Sequence, residues 1–281
     1  MITADNMMFE VSCPLCRSNR WRFFVSAPSH YGPEKHQVTK CQDCGMIFTN
    51  PQSATYLHDV QHRGVLERHL DPDRFPKGEI NARFQLRLLA RYSGGRKLLD
   101  FGCGAGLLVK VAIEEGWHAI GLDLNGELVA AANQYWGFQA LRSSTLAEFS
   151  NDGQGPFDAI ISNQVFEHIQ NPTIVGNQLV GLLKPGGVFY IDVPYVHQLK
   201  EWFSRGSTLD PTSHWCHYSK KTIKKLMVDL GCKILFCSAA PSLVSVYNMM
   251  GLMNWIYPLG CMTKSILPAI GTGVCVIGRK Q

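Results

Sequence analysis

Between residues 97 and 280 the chain alternates short apolar runs with longer segments whose apolar residues return every three or four positions. The first pattern is that of strands buried on both faces, the second that of amphipathic helices. "KLLDF" (97–101) predicts a strand, and "GLLVKVAIEEG" a helix stopped at Gly116. "HAIGLDL" and "NGELVAAANQYWG" repeat the pair, "FQALRSS" is a third strand, and "FDAIISN", wholly apolar at its centre, is a fourth. In "NPTIVGNQLVGLLKPGG" Asn171 is placed as N-cap, Pro172 in the first turn and a glycine pair as the stop. "VFYIDVP" is a fifth strand, "SKKTIKKLMVDLG" a helix, "CKILFCS" a sixth strand and "GVCVIGRK" a seventh. Such alternation builds a parallel sheet covered on both faces.

Upstream the pattern changes. "EINARFQLRLLARY" puts Ile80, Phe84, Leu88, Leu89 and Tyr92 at helical spacing before an "SGG" break. Residues 1–60 are rich in Cys, Asn, Pro and Gln, with β-like runs "RWRFFV" and "HQVTK". The expected organisation is a small module over 1–60, a helical connector over 61–95 and an α/β domain over 96–281. With 46% apolar and 17% charged residues, the composition is globular. Ten cysteines behind an N-terminus without a secretory pattern argue for a reducing, cytoplasmic setting. Charge is uneven: 12 basic against 9 acidic residues over 1–95, 6 against 10 over 96–200, and 9 against 3 over 201–281. A basic rim could suit an anionic substrate, but solvated helix faces such as "KKTIKK" are the plainer reading, and charge alone decides nothing.

Cys13, Cys16, Cys41 and Cys44 follow the spacing C-x2-C-x24-C-x2-C. Two knuckles of this kind bring four thiolates to one tetrahedral ion, so structural zinc is the expectation, ahead of iron or unliganded thiols. Gly45 suits the tight turn behind the second pair. The other cysteines fall mostly in apolar elements and read as core.

"LLDFGCGAGLL" is a strand, a turn with Gly102, Gly104 and Gly106, and a helix. Such glycines let the backbone bend sharply and approach a ligand at a helix N-terminus. Asp100 precedes the turn, and Asp123 ends the next strand, where a carboxylate can accept both hydroxyls of a ribose. Together "LDFGCGAG", "GLDLN", "FDAIISNQVFEHI" and "LLKPGGVFYIDVP" resemble, in order, four blocks of the class I S-adenosylmethionine-dependent methyltransferases. The resemblance implies a Rossmann-like seven-stranded sheet, mostly parallel with an antiparallel last strand, behind a small zinc-ribbon-like module. It implies S-adenosylmethionine as cofactor. The glycine-loop residues Gly102, Cys103, Gly104 and Gly106, with Asp100 before them, fall to the amino-acid end. Asp123 falls to the ribose, Leu124 to the adenine face, Ser144 and Thr145 to the adenine edge, and Asn163 and Gln164 to the sulfonium.

An oxygen or carbon acceptor must lose a proton, which calls for a base tuned near neutrality. Glu167 and His168, just past the fourth strand, stand at the ligand-facing sheet edge, where His168 could be that base or merely anchor a loop. "SHWCHYS" resembles a family stretch before the penultimate helix, with Ser219 as N-cap, and adds His214 and His217 as pocket candidates; Tyr195 is another. The uncharged stretch inside 239–270 is interrupted by Pro241, Asn248, Asn254 and Pro258. It reads as an apolar lid-like insertion that could meet a lipid-linked acceptor or a membrane surface, or pack on the sheet, and not as a membrane span.

"CQDCGMIFTNPQ" further resembles the zinc-module branch of these enzymes, which includes sugar C-methyltransferases and polysaccharide-pathway members. That likeness implies a small-molecule acceptor, a sugar or another hydroxylated metabolite, with Tyr31 and Tyr56 beside it. Residues 97–281 are expected to hold no counterpart of the long C-terminal domain of the sugar enzymes. An RNA methyltransferase whose zinc module holds nucleic acid is the alternative, and "SNQVF" lacks the base-clamp motif it needs. A non-catalytic scaffold is a third reading, opposed by the intact glycines and Asp123.

Overall fold

The computed structural model describes residues 8–29, 33–53, 70–197, 201, 204, 206, 209–240 and 273–281. Tyr31, Tyr56 and most of the 239–270 insertion lie outside them. The α/β part comprises α1 (Phe75–Ala90), β6 (Lys97–Phe101), α2 (Leu107–Glu114), β7 (His118–Asp123), α3 (Gly126–Trp136), β8 (Leu141–Ser143), α4 (Leu146–Asn151) and β9 (Phe157–Asn163). It continues through α5 (Pro172–Gly181), β10 (Leu183–Pro194), α6 (Lys220–Asp229), β12 (Cys232–Ala240) and β13 (Gly273–Lys280). Seven strands run in the order β12-β13-β10-β9-β6-β7-β8. β13 is antiparallel to both its neighbours, β10 and β12, while β10, β9, β6, β7 and β8 pair in parallel.

Because side chains alternate across a strand, each strand feeds two cores. Leu99, Ile160, Phe189, Ile191 and Val276 face one layer, Leu98, Ile161, Tyr190 and Ile277 the other. Helix α1 covers the second layer through Ala82, Gln85, Leu86, Leu88 and Leu89, leaving Ile80, Phe84 and Tyr92 only half-buried. The apolar stripe is thus rotated from the one expected, to admit a polar residue, Gln85. Two further departures are local. α4 forms where the sequence shows no long periodicity, held by a Thr145–Glu148 capping box. β10 begins at Leu183, inside the expected helix end, and carries a register shift between Leu183 and Val188.

The N-terminal segment contributes β1 (Met8–Phe9), β2 (Trp21–Pro28), β3 (Lys35–Cys41), β4 (Ile47–Thr49) and β5 (Gln52–Ser53). A second sheet runs β11-β4-β3-β2, and its edge strand β11 (Cys216–His217) comes from the α/β part. Cys216 pairs with Phe48 and His217 with Ile47. The cores merge as well: Cys13, Leu15, Cys44, Met46 and Phe48 share one cluster with Leu99, Phe166, Tyr218 and Ile223.

Candidate functional site

The glycine loop is held from beneath. The Gly102 and Cys103 amides donate to the Leu122 carbonyl at 2.8 and 3.1 Å, and the Gly104 amide donates to Asp123 Oδ2 at 2.9 Å. Gly102 has φ +75°, and a Cβ there would meet Val165 Cγ2 at 2.3 Å, so conformation and space both require glycine. Asp123 Oδ1 accepts from the Asn125 amide at 2.9 Å. Each carboxylate oxygen therefore spends one acceptor position on the backbone and keeps another for a ligand. Beside it Leu124 is 75% exposed, an apolar surface against which a flat ring can lie. Asp100 is buried, and desolvation, then the Asp123 charge, pushes its carboxyl up to about 7. Cys103 turns its thiol beneath the loop, where Gly121 leaves room for it, and burial raises it well above an ordinary thiol.

At the neighbouring strand ends the polar side chains are already engaged. Ser144 Oγ donates to the Thr145 carbonyl at 3.2 Å, and Thr145 caps α4 by accepting from the Glu148 amide at 3.2 Å. Asn163 exchanges amide hydrogen bonds with Gln85 at 2.9 and 3.3 Å. Gln164, a non-glycine residue at φ +55°, donates through Nε2 to Asp192 Oδ1 at 2.8 Å while its amide donates to the Asp192 carbonyl. Tyr190 closes the network, its hydroxyl 3.3 Å from Asp192 Oδ2 and 3.5 Å from Gln85 Nε2. Gln85, Tyr190 and Asp192 were not among the residues singled out from the sequence. The signal for Gln85 was available as a polar residue on an apolar helix stripe.

Past β9, a turn of 3-10 helix (Phe166–His168) presents Glu167 and His168. Glu167 is buried, which pushes its carboxyl up to about 8, with the Asp192 charge a smaller cause. Its Oε2 has no hydrogen-bond partner among the described residues, and its Oε1 lies 3.9 Å from His168 Nε2. His168 Nδ1 lies 2.6 Å from the Ser213 carbonyl. A carbonyl only accepts, so Nδ1 carries the proton and Nε2 of the neutral ring keeps its lone pair. Burial keeps the ring neutral by lowering its pKa, against smaller raising effects of that carbonyl and Asp210.

The 210–218 segment brings the remaining candidates. The His214 ring lies 4.9 Å from His168 and 6.2 Å from His217. His217 is buried, its pKa pushed down to about 3 by desolvation and then by His214, and its Nε2 lies 3.3 Å from Thr49 Oγ1. Asp210 organises the turn by accepting from the Thr212 hydroxyl at 2.8 Å and the Ser213 amide at 3.3 Å. An Asp followed by Thr and Ser is a local turn signal that the sequence reading left unused. Trp215 ties three parts together: its amide donates to the Glu167 carbonyl at 2.8 Å and its carbonyl accepts from the Thr49 amide at 3.1 Å. Tyr195 is half-buried and forms a lone bridge with Tyr218, so it stands beside this segment.

The four N-terminal cysteines converge. Cys13 Sγ lies 3.5 Å from Cys44 Sγ and Cys16 Sγ 3.5 Å from Cys41 Sγ, with all four sulfurs within 4.8 Å of one another. These separations are far too long for disulfides and near the roughly 3.8 Å edge of a tetrahedron with 2.3 Å metal–sulfur bonds. Their protons are unevenly held: contact with Cys13 pushes Cys44 down to about 5, while Cys13 is raised. The knuckles are built alike, with left-handed Arg17 and Gly45 each following the second cysteine.

A sheet in this order, with a glycine loop after β6 and a carboxylate at the end of β7, defines a class I S-adenosylmethionine-dependent methyltransferase. A methyltransferase-domain family model matches residues 73–235, more than half of the chain, and the chain belongs to that family. The ubiquinone biosynthesis O-methyltransferase of Xylella fastidiosa (strain 9a5c) is 33% identical over 101 residues, 34% of this chain and 41% of that protein. Its counterpart from Caulobacter vibrioides is 32% identical over 101 residues, covering 34% and 40%. The chain thus matches under half the length of these relatives. Among solved structures, the plantazolicin methyltransferase BamL in complex with a triazolic desmethylPZN analog and SAH superposes with TM-score 0.56. It has 14% identity and covers 80% of this chain and 92% of that one. An S-adenosylmethionine-dependent methyltransferase from Mesorhizobium loti gives TM-score 0.51 at 16% identity, covering 71% and 98%. At these identities the likeness is one of fold. No helix among the described residues is long and apolar enough to cross a membrane.

Proposed function

We propose that this methyltransferase acts on a small hydroxylated acceptor, a sugar or a related metabolite, and removes the hydroxyl proton with His168. The carrying observation is the fixed tautomer of His168, whose Nδ1–H is spent on Ser213 and whose Nε2 faces the Glu167 carboxyl. S-adenosylmethionine, when bound, supplies an electrophilic methyl. Asp123 and Leu124 would hold its nucleoside, and the Gly102–Gly106 loop its amino-acid end. His168 Nε2 accepts the acceptor's proton as the oxygen becomes nucleophilic. The curated relatives' name, O-methyltransferase, supports an oxygen acceptor over the matched third of the chain. The four cysteines hold a structural zinc in the same reading, supported by their spacing and by the tetrahedral fit of the sulfurs. The module then forms one wall of the acceptor pocket, as its links to Trp215 and His217 suggest.

The test is methyl-donor turnover against hydroxylated small molecules and RNA, with calorimetry for the cofactor. Asp123→Ala is expected to weaken S-adenosylmethionine binding at least tenfold. His168→Ala is expected to leave that binding intact and cut turnover by about 10²–10⁴-fold. Turnover on RNA and on no small acceptor would select the RNA alternative instead.

A further inference from the structure

The acceptor end contains more donor atoms than a general base needs. Glu167, His168 and His214 each offer one ligand atom, and the three atoms lie within 4.8 Å of one another. Apart from the cysteine knuckles, this is the one group of three or more such residues among the described residues. Two independent features point to a ligand there. Glu167 Oε2 is buried without a hydrogen-bond partner among the described residues, in a side chain 2% exposed. A buried carboxylate oxygen left unsatisfied is destabilising, so a partner is expected to meet it. His168, for its part, has the arrangement of a metal-ligating histidine, which donates its second ring N–H to a backbone carbonyl and so fixes its tautomer.

We infer that Glu167, His168 and His214 form a divalent-cation site, distinct from the four-cysteine site, at the acceptor end of the methyl-transfer centre. Two imidazoles and one carboxylate suit a first-row transition ion, Mn²⁺, Fe²⁺, Co²⁺ or Zn²⁺, and leave coordination positions open for oxygen. Hydrated Ca²⁺ and Mg²⁺ prefer all-oxygen sites and fit less well. His217 is not one of the three convergent donors: its Nε2 lies against Thr49 Oγ1 and its ring 6.2 Å from that of His214. Asp210, whose charge reaches both His168 and His214, adds negative potential that favours a cation. The inference rests on the reading of this cluster as the acceptor end. With the ion bound, His168 Nε2 is a ligand instead of a base, so the ion acidifies an acceptor hydroxyl and the released proton passes to water.

The probe is Mn²⁺, which tolerates mixed nitrogen and oxygen ligands and competes poorly for thiolates. The zinc-loaded full chain is titrated without cofactor or acceptor while the free-ion electron paramagnetic resonance signal is followed. One Mn²⁺ per chain is expected, at unchanged zinc content, with at least a tenfold weaker site in His214→Ala. Retained S-adenosylmethionine binding shows that the variant is folded, and Glu167→Gln serves as the second variant if it is not. Absence of Mn²⁺ uptake by the unaltered protein overturns the proposal, as does uptake equal in the unaltered protein and a folded variant. Turnover that persists in excess chelator, with no Mn²⁺ site, would also overturn it and leave the methyltransferase reading standing with His168 as base. Mn²⁺ binding without methyl transfer to any acceptor would support the cation site and count against the function.

Discussion

Asp100 and His217 are both buried and both shifted, but in opposite senses, and stability should record this. Asp100 is raised from 3.8 to about 7, so its contribution is present below pH 3.8 and lost as pH rises toward 7. His217 is lowered from 6.5 to about 3, so its contribution is present above pH 6.5 and lost as pH falls toward 3. Asp100→Asn should therefore gain stability relative to the parent as pH is raised from 4 to 7, by up to about 1.4 kcal/mol per pH unit. His217→Gln, which keeps a donor toward Thr49, should flatten the loss of stability between pH 6.5 and 5. Thermal melts of the two variants across this range check both signs.

At the scale of elements, the seam between β4 and β11 ties the N-terminal sheet to a segment of the α/β part. Phe48 is fully buried there and belongs to the shared core. Phe48→Ala should cost about 3–5 kcal/mol, read from denaturant unfolding, since it empties a site bounded by both parts. A second tie is Arg17 Nη1 donating to Asn171 Oδ1 at 2.7 Å. The sequence places Asn171 as an N-cap, and it does precede α5, but its side chain makes no cap hydrogen bond. These elements show where a sequence is legible. β6, β7 and β9 with the helices after them, and β13, follow from local apolar periodicity, and the glycine loop from residue type and spacing. β11 is two residues long and exists only because β4 lies beside it, so "SHWCHYS" carries no local sign of it. Glu167, His168 and His214 could be named as candidates, but their convergence across 47 residues is a tertiary fact. The bonds from Gln85 to Asn163 and from Gln164 to Asp192 are tertiary in the same way, although a polar residue on an apolar stripe does mark Gln85.

For the molecule as a whole, metal at the knuckles should govern the N-terminal sheet more than the nucleotide end. Cys13, Cys41 and Cys44 lie in the same core as Phe166 and Tyr218, whereas Gly102 and Asp123 are positioned by β6 and β7. Removing the zinc proposed for the knuckles with a strong chelator is expected to cost several kcal/mol of stability, roughly 10 °C or more in Tm. S-adenosylmethionine binding should survive, while turnover on an acceptor should be lost and not return when Mn²⁺ alone is added back, because Thr49 no longer holds Trp215 and His217. Calorimetry and turnover on the same stripped sample separate the two outcomes.

The borrowed edge strand also bears on how such a protein can be recombined. A cut at residue 60 would seem the natural place to exchange its front end with that of a relative. Yet the sheet of that front end is completed by Cys216 and His217, some 160 residues downstream. A chimera that swaps the front end alone would pair a foreign β4 with a resident β11 and would also pass a foreign Thr49 to the resident His217. Exchange should succeed only when residues 209–218 travel with the module. The N-terminal sheet is therefore a discontinuous unit, two segments far apart in sequence that must be inherited together.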